Sequence, residues 1–255
     1  MDFGLTDKQI EHRKECYKVC EELDKKKPKS WVGFESPFDS EEGWAYHLLC
    51  AKEFAKRGWL ALSWPKEYGG TGDMMDKVLF AEARGYYDLP GADIFGVAML
   101  APTLLAAGSE EIKKEFLPKI ASAELMFCEL WSEPNFGSDL AGLQSSAVRK
   151  GDEFIVNGQK TWSTGAHYAD WAFGVYKSDP NAKKHHNLTF MLCDMKSPGI
   201  TVKGIPYMNG SHVYNEVYLD DVHIPAKYIV GQENEGWAVV NVLAGFERSN
   251  VDMVY

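Results

Sequence analysis

The chain has 255 residues, of which 45% are hydrophobic, and a formal net charge of −10. That length allows one large domain or two small ones, and the apolar fraction is enough for a sizeable buried core. An acidic surface repels phosphate backbones, which excludes nucleic acid as a natural partner, but local cations or helix N-termini could still hold a small anionic ligand.

The five cysteines (Cys16, Cys20, Cys50, Cys128, Cys193) are odd in number and widely spaced, with no CxxC. They read as free thiols of a reducing compartment. Cys16 and Cys20 share a helix face and are expected in the core, not on a metal. No apolar run approaches the ~20 residues of a membrane span and no signal peptide opens the chain, so the expected location is the cytoplasm.

The first half reads as helix. Thr6 caps a helix whose Cys16, Val19, Cys20 and Leu23 follow i, i+3, i+4, i+7 spacing. "KKKPKS" closes it as a solvated loop. Asp39 and Glu42 resemble a capping box for a helix through "GWAYHLLCAKEFAKRGW". "WPKEYGGTG" interrupts, and helices are expected at about 76–88, 92–107 and 110–121, with Gly108 as a C-cap and Ser109 as the next N-cap.

Near residue 124 the texture changes. "LMFCELW", "SSAVRK", "EFIVNGQKTW", "WAFGVYK", "LTFMLCDM", "ITVKGI" and "NEVYLDDV" are short runs rich in β-branched and aromatic residues. "VRKGDEFIV" reads as a hairpin turning at Gly151-Asp152. Seven such runs predict an antiparallel sandwich or barrel. Beyond "GQENEGW" a helical pattern returns in "AVVNVLAGFERSNVDMVY" and the sequence given stops within it. The expected fold is therefore α+β: a helical domain at 1–124, a β domain at 125–232, and the first helix of a C-terminal helical bundle at 233–255.

Four strings could carry chemistry. In "WSEPNFGSD" (131–139) a strand ends at a proline and leaves backbone groups free. Gly137 admits close approach, and Ser132 and Ser138 offer hydroxyls. A polar turn capped by Ser and Asp would look the same. In "NGQKTWSTG" (157–165) Trp162 stands among Thr161, Ser163 and Thr164, which suits a planar heteroaromatic ligand as well as it suits a plug for the end of a sandwich. In "NEVYLDDVHIP" (215–225) Val217 and Leu219 point inward, and Asp220-Asp221 reads as a turn after the strand. In "GFERS" (245–249) Glu247 and Arg248 lie about 100° apart on a helix, so one could face a cleft while the other does not. Metal-ligand spacing, GxSxG and HExxH are absent from the sequence.

Taken in order, "MDFGLTDKQIEHRKE", "WPKEYGG", "SEPNFGSDLAGL", "GDEFIVNGQKTWSTGAHYADW", "NEVYLDDVHIP", "GQENEGWAVV" and "GFER" resemble the acyl-CoA dehydrogenase family of flavoproteins along the whole chain. The phrasing is similar to bacterial members acting on large or unusual acyl groups. The resemblance implies FAD as cofactor and α,β-dehydrogenation of an acyl-CoA thioester to the trans-2-enoyl-CoA. A carboxylate takes the α proton while hydride leaves the β carbon, and hydrogen bonds to the thioester carbonyl acidify that proton. Electrons would pass to an electron-transferring flavoprotein, within a homo- or hetero-tetramer.

By position, the resemblance puts Trp131 and Ser132 at the pyrimidine side of the flavin. Gly137 and Ser138 fall at the pyrophosphate, with Ser138 also near the CoA arm. Trp162 lies against the ring system, with Ser163 and Thr164 as ring-facing hydroxyls and Thr164 near N5. Glu247 matches the base of those members that carry it early in the C-terminal bundle, and Arg248 matches an arginine near the substrate. Burial should raise Glu247 toward neutrality. Asn135-Phe136 replaces the small pair usual before the Gly-Ser, and without the rest of the bundle both domains should expose apolar faces. The alternatives are a non-catalytic or half-site subunit of a heteromeric dehydrogenase and an oxygen-using acyl-CoA oxidase.

Overall fold

The computed structural model describes residues 4–33 and 35–249, so the tail of the last helical pattern, 250–255, lies outside the described residues. The first half is helical. It comprises α1 (Asp7–Asp24), the short α2 (Ser36–Asp39), α3 (Glu41–Ala55), α4 (Met74–Tyr86), a π-helical stretch Ile94–Leu100 continuing into α5 (Ala101–Ala107), and α6 (Glu110–Ala121).

Side-chain oxygens start these helices by taking backbone N–H groups that have no partner within the helix. Thr6 and Gln9 cap α1 reciprocally, and Ser109 caps α6. The cap of α3 is Ser40, which accepts from the Gly43 N–H at 3.0 Å, and not Asp39. Asp39 ends α2, and its carboxylate takes the His212 N–H at 2.8 Å. The 92–107 segment is two elements, not one α-helix. Asp93 accepts from the Phe95 and Gly96 N–H groups, and the Ala98 and Ala101 N–H groups reach five residues back, to Asp93 and Gly96. Pro102 follows and has no N–H to continue an ordinary ladder into that turn.

The second half is one seven-stranded sheet: β1 (Phe127–Leu130), β2 (Ser146–Lys150), β3 (Glu153–Lys160), β4 (Trp171–Lys177), β5 (Leu188–Asp194), β6 (Ile200–Ile205) and β7 (Tyr214–Pro225), followed by α7 (Gly236–Arg248). The path is β1-β4-β2-β3-β7-β6, with β5 also on β4. The β2–β3 hairpin turns at Gly151, with φ of +63°. Most pairings are antiparallel, but β1 runs parallel to β4, and β2 meets β4 in parallel at Ser146 and Lys177, so the sheet is mixed. Because β5 covers the whole of one β4 edge, β1 and β2 must share the other. β1 stops opposite Gly174 and β2 joins only at Lys177, which leaves a gap at Val175.

Asp220 and Asp221 are inside β7, where a turn was expected. They form a bulge: the register slips between Val156 and Gly158, and Asp221 takes φ of +48°. Asn157 holds the bulge, accepting from the Asp221 N–H at 2.9 Å and donating to its carboxylate at 3.0 Å.

Both faces of the sheet are covered. Phe127, Phe173, Val175, Phe190 and Leu192 join the core under the helices, together with Leu100, Leu104, Phe116 and the α7 residues Val239, Val240 and Leu243. On the other face Cys128, Leu130, Phe154, Val156, Tyr176, Val217 and Leu219 form a second core inside the curl of the sheet. All five cysteines are free and buried. Among the described residues no helix is long and apolar enough to cross a membrane.

Candidate active site

Alternation along β1 sends Cys128 and Leu130 to the inner core, and Phe127, Glu129 and Trp131 to the opposite side. Where β1 ends, Trp131 and Ser132 leave the sheet beside the end of β3. The Thr161 N–H donates to the Ser132 carbonyl at 2.8 Å. Lys160 fills the gap at Val175. Its ammonium donates to the Val175 carbonyl at 3.0 Å, the Trp131 carbonyl at 3.2 Å and Glu133 Oε1 at 3.0 Å. Glu133 also takes the Gln144 and Ser145 N–H groups at 2.6 and 2.9 Å.

This ion pair is buried, with side chains 0% and 6% exposed. Burial pushes Lys160 down to about 8 against the pull of Glu133. Burial acts on Glu133 in the opposite sense, but Lys160 and the two N–H donors outweigh it and hold the carboxyl below its usual range. The pair joins the two strings that the sequence marked separately, and it was not anticipated from them.

The 162–165 segment is fixed from the other side. The Ser163 and Gly165 N–H groups donate to the Asn215 and Val213 carbonyls at 3.0 Å each. The Asn215 amide returns a bond to the Ser163 carbonyl at 3.0 Å. Trp162 is forced to φ of +61°, a conformation costly for a bulky residue. It stands 58% exposed, edge-on to Tyr214. With Ile205, Tyr207 and Met208 it borders an open cavity of about 490 Å³. Thr164 is half-buried next to it.

Two buried polar atoms in these segments, Trp131 Nε1 and Ser163 Oγ, have no partner among the described residues. Gly137 and Ser138 are exposed, and a Cβ on Gly137 would meet nothing within 4 Å. The bulky Asn135-Phe136 does not block this loop: the Phe136 ring lies against Gly142, where an added Cβ would come within 2.8 Å of it.

Helix α7 brings the third segment. Gly236 sits against the backbone of Thr189 and Phe190, too close for any side chain, and this seats the helix on β5. Glu247 and Arg248, at its far end, are exposed; Glu247 is not buried as expected. Burial first, and then the charge of Glu247, raise the pKa of the Glu129 carboxyl on β1. The structure therefore gathers Trp131, Ser132, Trp162, Ser163 and Thr164 at adjoining strand ends, leaves Glu247 and Arg248 exposed at the far end of α7, and leaves Gly137 and Ser138 on an outer loop. Glu129 on β1 is half-buried, with its Oε1 out of reach of solvent and unpartnered among the described residues, and motif reading did not single it out. The available signal was a lone carboxylate in the apolar run "LMFCELW".

A helical layer on a curled sheet, with an orphaned hydroxyl and indole N–H beside an exposed tryptophan, fits a flat, polar-edged cofactor. Comparison with known proteins agrees. The family model for the acyl-CoA dehydrogenase N-terminal domain matches residues 6–124, and that for the middle domain matches residues 128–222. Acyl-CoA dehydrogenase FadE29 of Mycobacterium tuberculosis is 39% identical over 81% of this chain and 53% of its own. Among solved structures, the Tcur3481-Tcur3483 steroid ACAD matches with a TM-score of 0.84 at 29% identity, over 99% of this chain and 64% of that one. The ChsE4-ChsE5 complex from Mycobacterium tuberculosis matches with a TM-score of 0.81 at 32% identity, over 96% and 61%. The chain belongs to the acyl-CoA dehydrogenase family, whose members are FAD-dependent flavoproteins. It spans about half the length of the curated relatives it matches.

Proposed function

We propose that this chain carries the flavin-binding and acyl-binding part of an acyl-CoA dehydrogenase that converts an acyl-CoA to its trans-2-enoyl-CoA. The observation that carries this reading is the gathering of Trp131, Ser132, Trp162 and Ser163 at adjoining strand ends, where Trp131 Nε1 and Ser163 Oγ are buried with no partner among the described residues.

In this reading Trp131, Ser132, Ser163 and Thr164 hold the ring edge of FAD, and Trp162 covers the ring. Gly137 gives backbone access to the pyrophosphate, and Ser138 serves it and the CoA arm. When bound, FAD supplies the two-electron acceptor for the hydride leaving the β carbon. Glu247 takes the α proton, with the C–H electron pair left to form the new double bond, and Arg248 contacts the substrate. Electrons then leave through an electron-transferring flavoprotein. The steroid named for one solved relative supports a large acyl group. The two-protein complex of another supports a second reading, a subunit that works paired with a different chain.

Glu247→Gln in the flavin-loaded protein should keep FAD and lose bleaching of the flavin by acyl-CoA. Bleaching at the parent rate would remove Glu247 as the base.

A further inference from the structure

The Ser163 carbonyl, next to Trp162, ends a chain of side-chain hydrogen bonds that crosses to the helical half of the molecule. Asn215, wholly buried at the start of β7, donates from its amide nitrogen to that carbonyl at 3.0 Å, and the same nitrogen meets His167 Nδ1 at 3.0 Å. His167 Nε2 lies 2.9 Å from the Phe38 carbonyl in α2. His212, on the loop between β6 and β7, sets its Nε2 2.8 Å from Asn215 Oδ1, and the two imidazoles stack with centroids 4.2 Å apart. The backbone N–H of His212 donates to Asp39 at the end of α2.

Two backbone carbonyls fix the protons of this chain. A carbonyl only accepts, so the Asn215 atom facing Ser163 is the amide nitrogen, and the His167 nitrogen facing Phe38 carries a hydrogen. The amide nitrogen only donates, so His167 Nδ1, which it also faces, is bare. His167 is therefore neutral, and a second proton has no place: on Nδ1 it would point at the Asn215 amide hydrogens. Either the ring withdraws or the amide turns over, and turning over sets Oδ1 against the Ser163 carbonyl. Ser163 would then keep only the Ala166 N–H, at 3.5 Å. Burial first, then His212, lower the affinity of His167 for that proton. The other ionisable groups around it are Tyr168, whose ring lies 4.2 Å from its own, Asp39 at the end of α2 and Glu41 at the start of α3; burial first, then Glu41 and Asp39, raise the Tyr168 hydroxyl.

We propose that His167 is a positioning residue for the flavin: neutral, it holds the Asn215 amide on the Ser163 carbonyl and keeps the 162–165 turn in its binding shape, and protonated, it lets that turn relax. The turn has reason to relax, because Trp162 is held at φ of +61° and Ser163 carries a buried hydroxyl without a partner among the described residues. The inference rests on the reading that residues 162–165 hold FAD, and deepens it.

The test measures the Kd of FAD from about pH 8 to about pH 5, either side of the ordinary histidine range, for the parent, His167→Gln and His167→Phe. A glutamine amide offers a donor and an acceptor side by side, as the imidazole does, but does not titrate in this range. Phenylalanine keeps a ring on His212 and loses both bonds. The parent should weaken by on the order of 10-fold across the range, the worth of one hydrogen bond. His167→Gln should hold the parent's alkaline affinity at both ends, and His167→Phe should be weak at both. Nitrogen NMR of the parent, which needs no variant, should show His167 with its proton on Nε2. Exchange protection of the Ser163 and Gly165 amides should fall as His167 titrates in the parent, and stay level in His167→Gln. Three results would overturn the assignment: a neutral His167 protonated on Nδ1, the same pH profile for parent and His167→Gln, or amide protection indifferent to the titration. Failure of the parent to bind FAD at any pH would instead sink the flavin reading itself, and the positioning role with it.

Discussion

Lys160→Met would test how the two segments proposed to hold the flavin are joined. The substitution removes a wholly buried ammonium that serves three acceptors: Glu133, Trp131 and Val175. Breaking one side of a buried pair costs about 3–5 kcal/mol. Glu133 keeps the Gln144 and Ser145 N–H groups, so the lower end, about 3 kcal/mol, is expected. Glu133→Gln leaves the cation, but Lys160 already sits at about 8 and sheds its proton more easily than an ordinary lysine, so about 2 kcal/mol is expected. The double variant should cost about 3 kcal/mol rather than the sum, a coupling of about 2 kcal/mol. Urea unfolding of the four proteins measures this, and FAD retained through gel filtration reports whether Trp131 and Ser132 have loosened. A Lys160→Met loss within about 0.5 kcal/mol, the range of a surface change, would refute the reasoning, as would strict additivity.

Trp162→Ala should weaken FAD retention, and unchanged affinity would end the covering role given to that ring. Gly236→Ala puts a Cβ 2.6 Å from the Phe190 backbone nitrogen. It should lift α7 from β5 at a cost of about 1–3 kcal/mol and slow bleaching more than it lowers FAD affinity; a variant with parental stability and rate would contradict this seating of the helix. Glu129 makes stability depend on pH. Between its ordinary 4.5 and its folded value of about 8, the folded chain holds a proton that the unfolded chain has released. Stability from this group is therefore full below the lower value and is lost as pH rises through the upper. Burial is the larger cause of the shift and the charge of Glu247 on α7 the smaller. Glu129→Gln should flatten that fall, and identical pH profiles of unfolding would show that the carboxyl is ionised throughout.

What the sequence made legible and what it did not divides along one physical line. Local signals were sufficient where a residue acts on its own element. Thr6 and Ser109 cap the helices they precede, Gly151 turns its hairpin, and the alternation of Val217 and Leu219 points both inward. They failed where a distant partner decides. Asp39 and Ser40 are both able to cap α3, and the choice falls to Ser40 because His212 claims Asp39. Asp220-Asp221 looks like a turn until Asn157 on the neighbouring strand is seen to hold it as a bulge. Family likeness marked the strings around Trp131 and Trp162, but not the lysine that joins them. The need for Lys160 arises only because β1 and β2 leave Val175 uncovered between them.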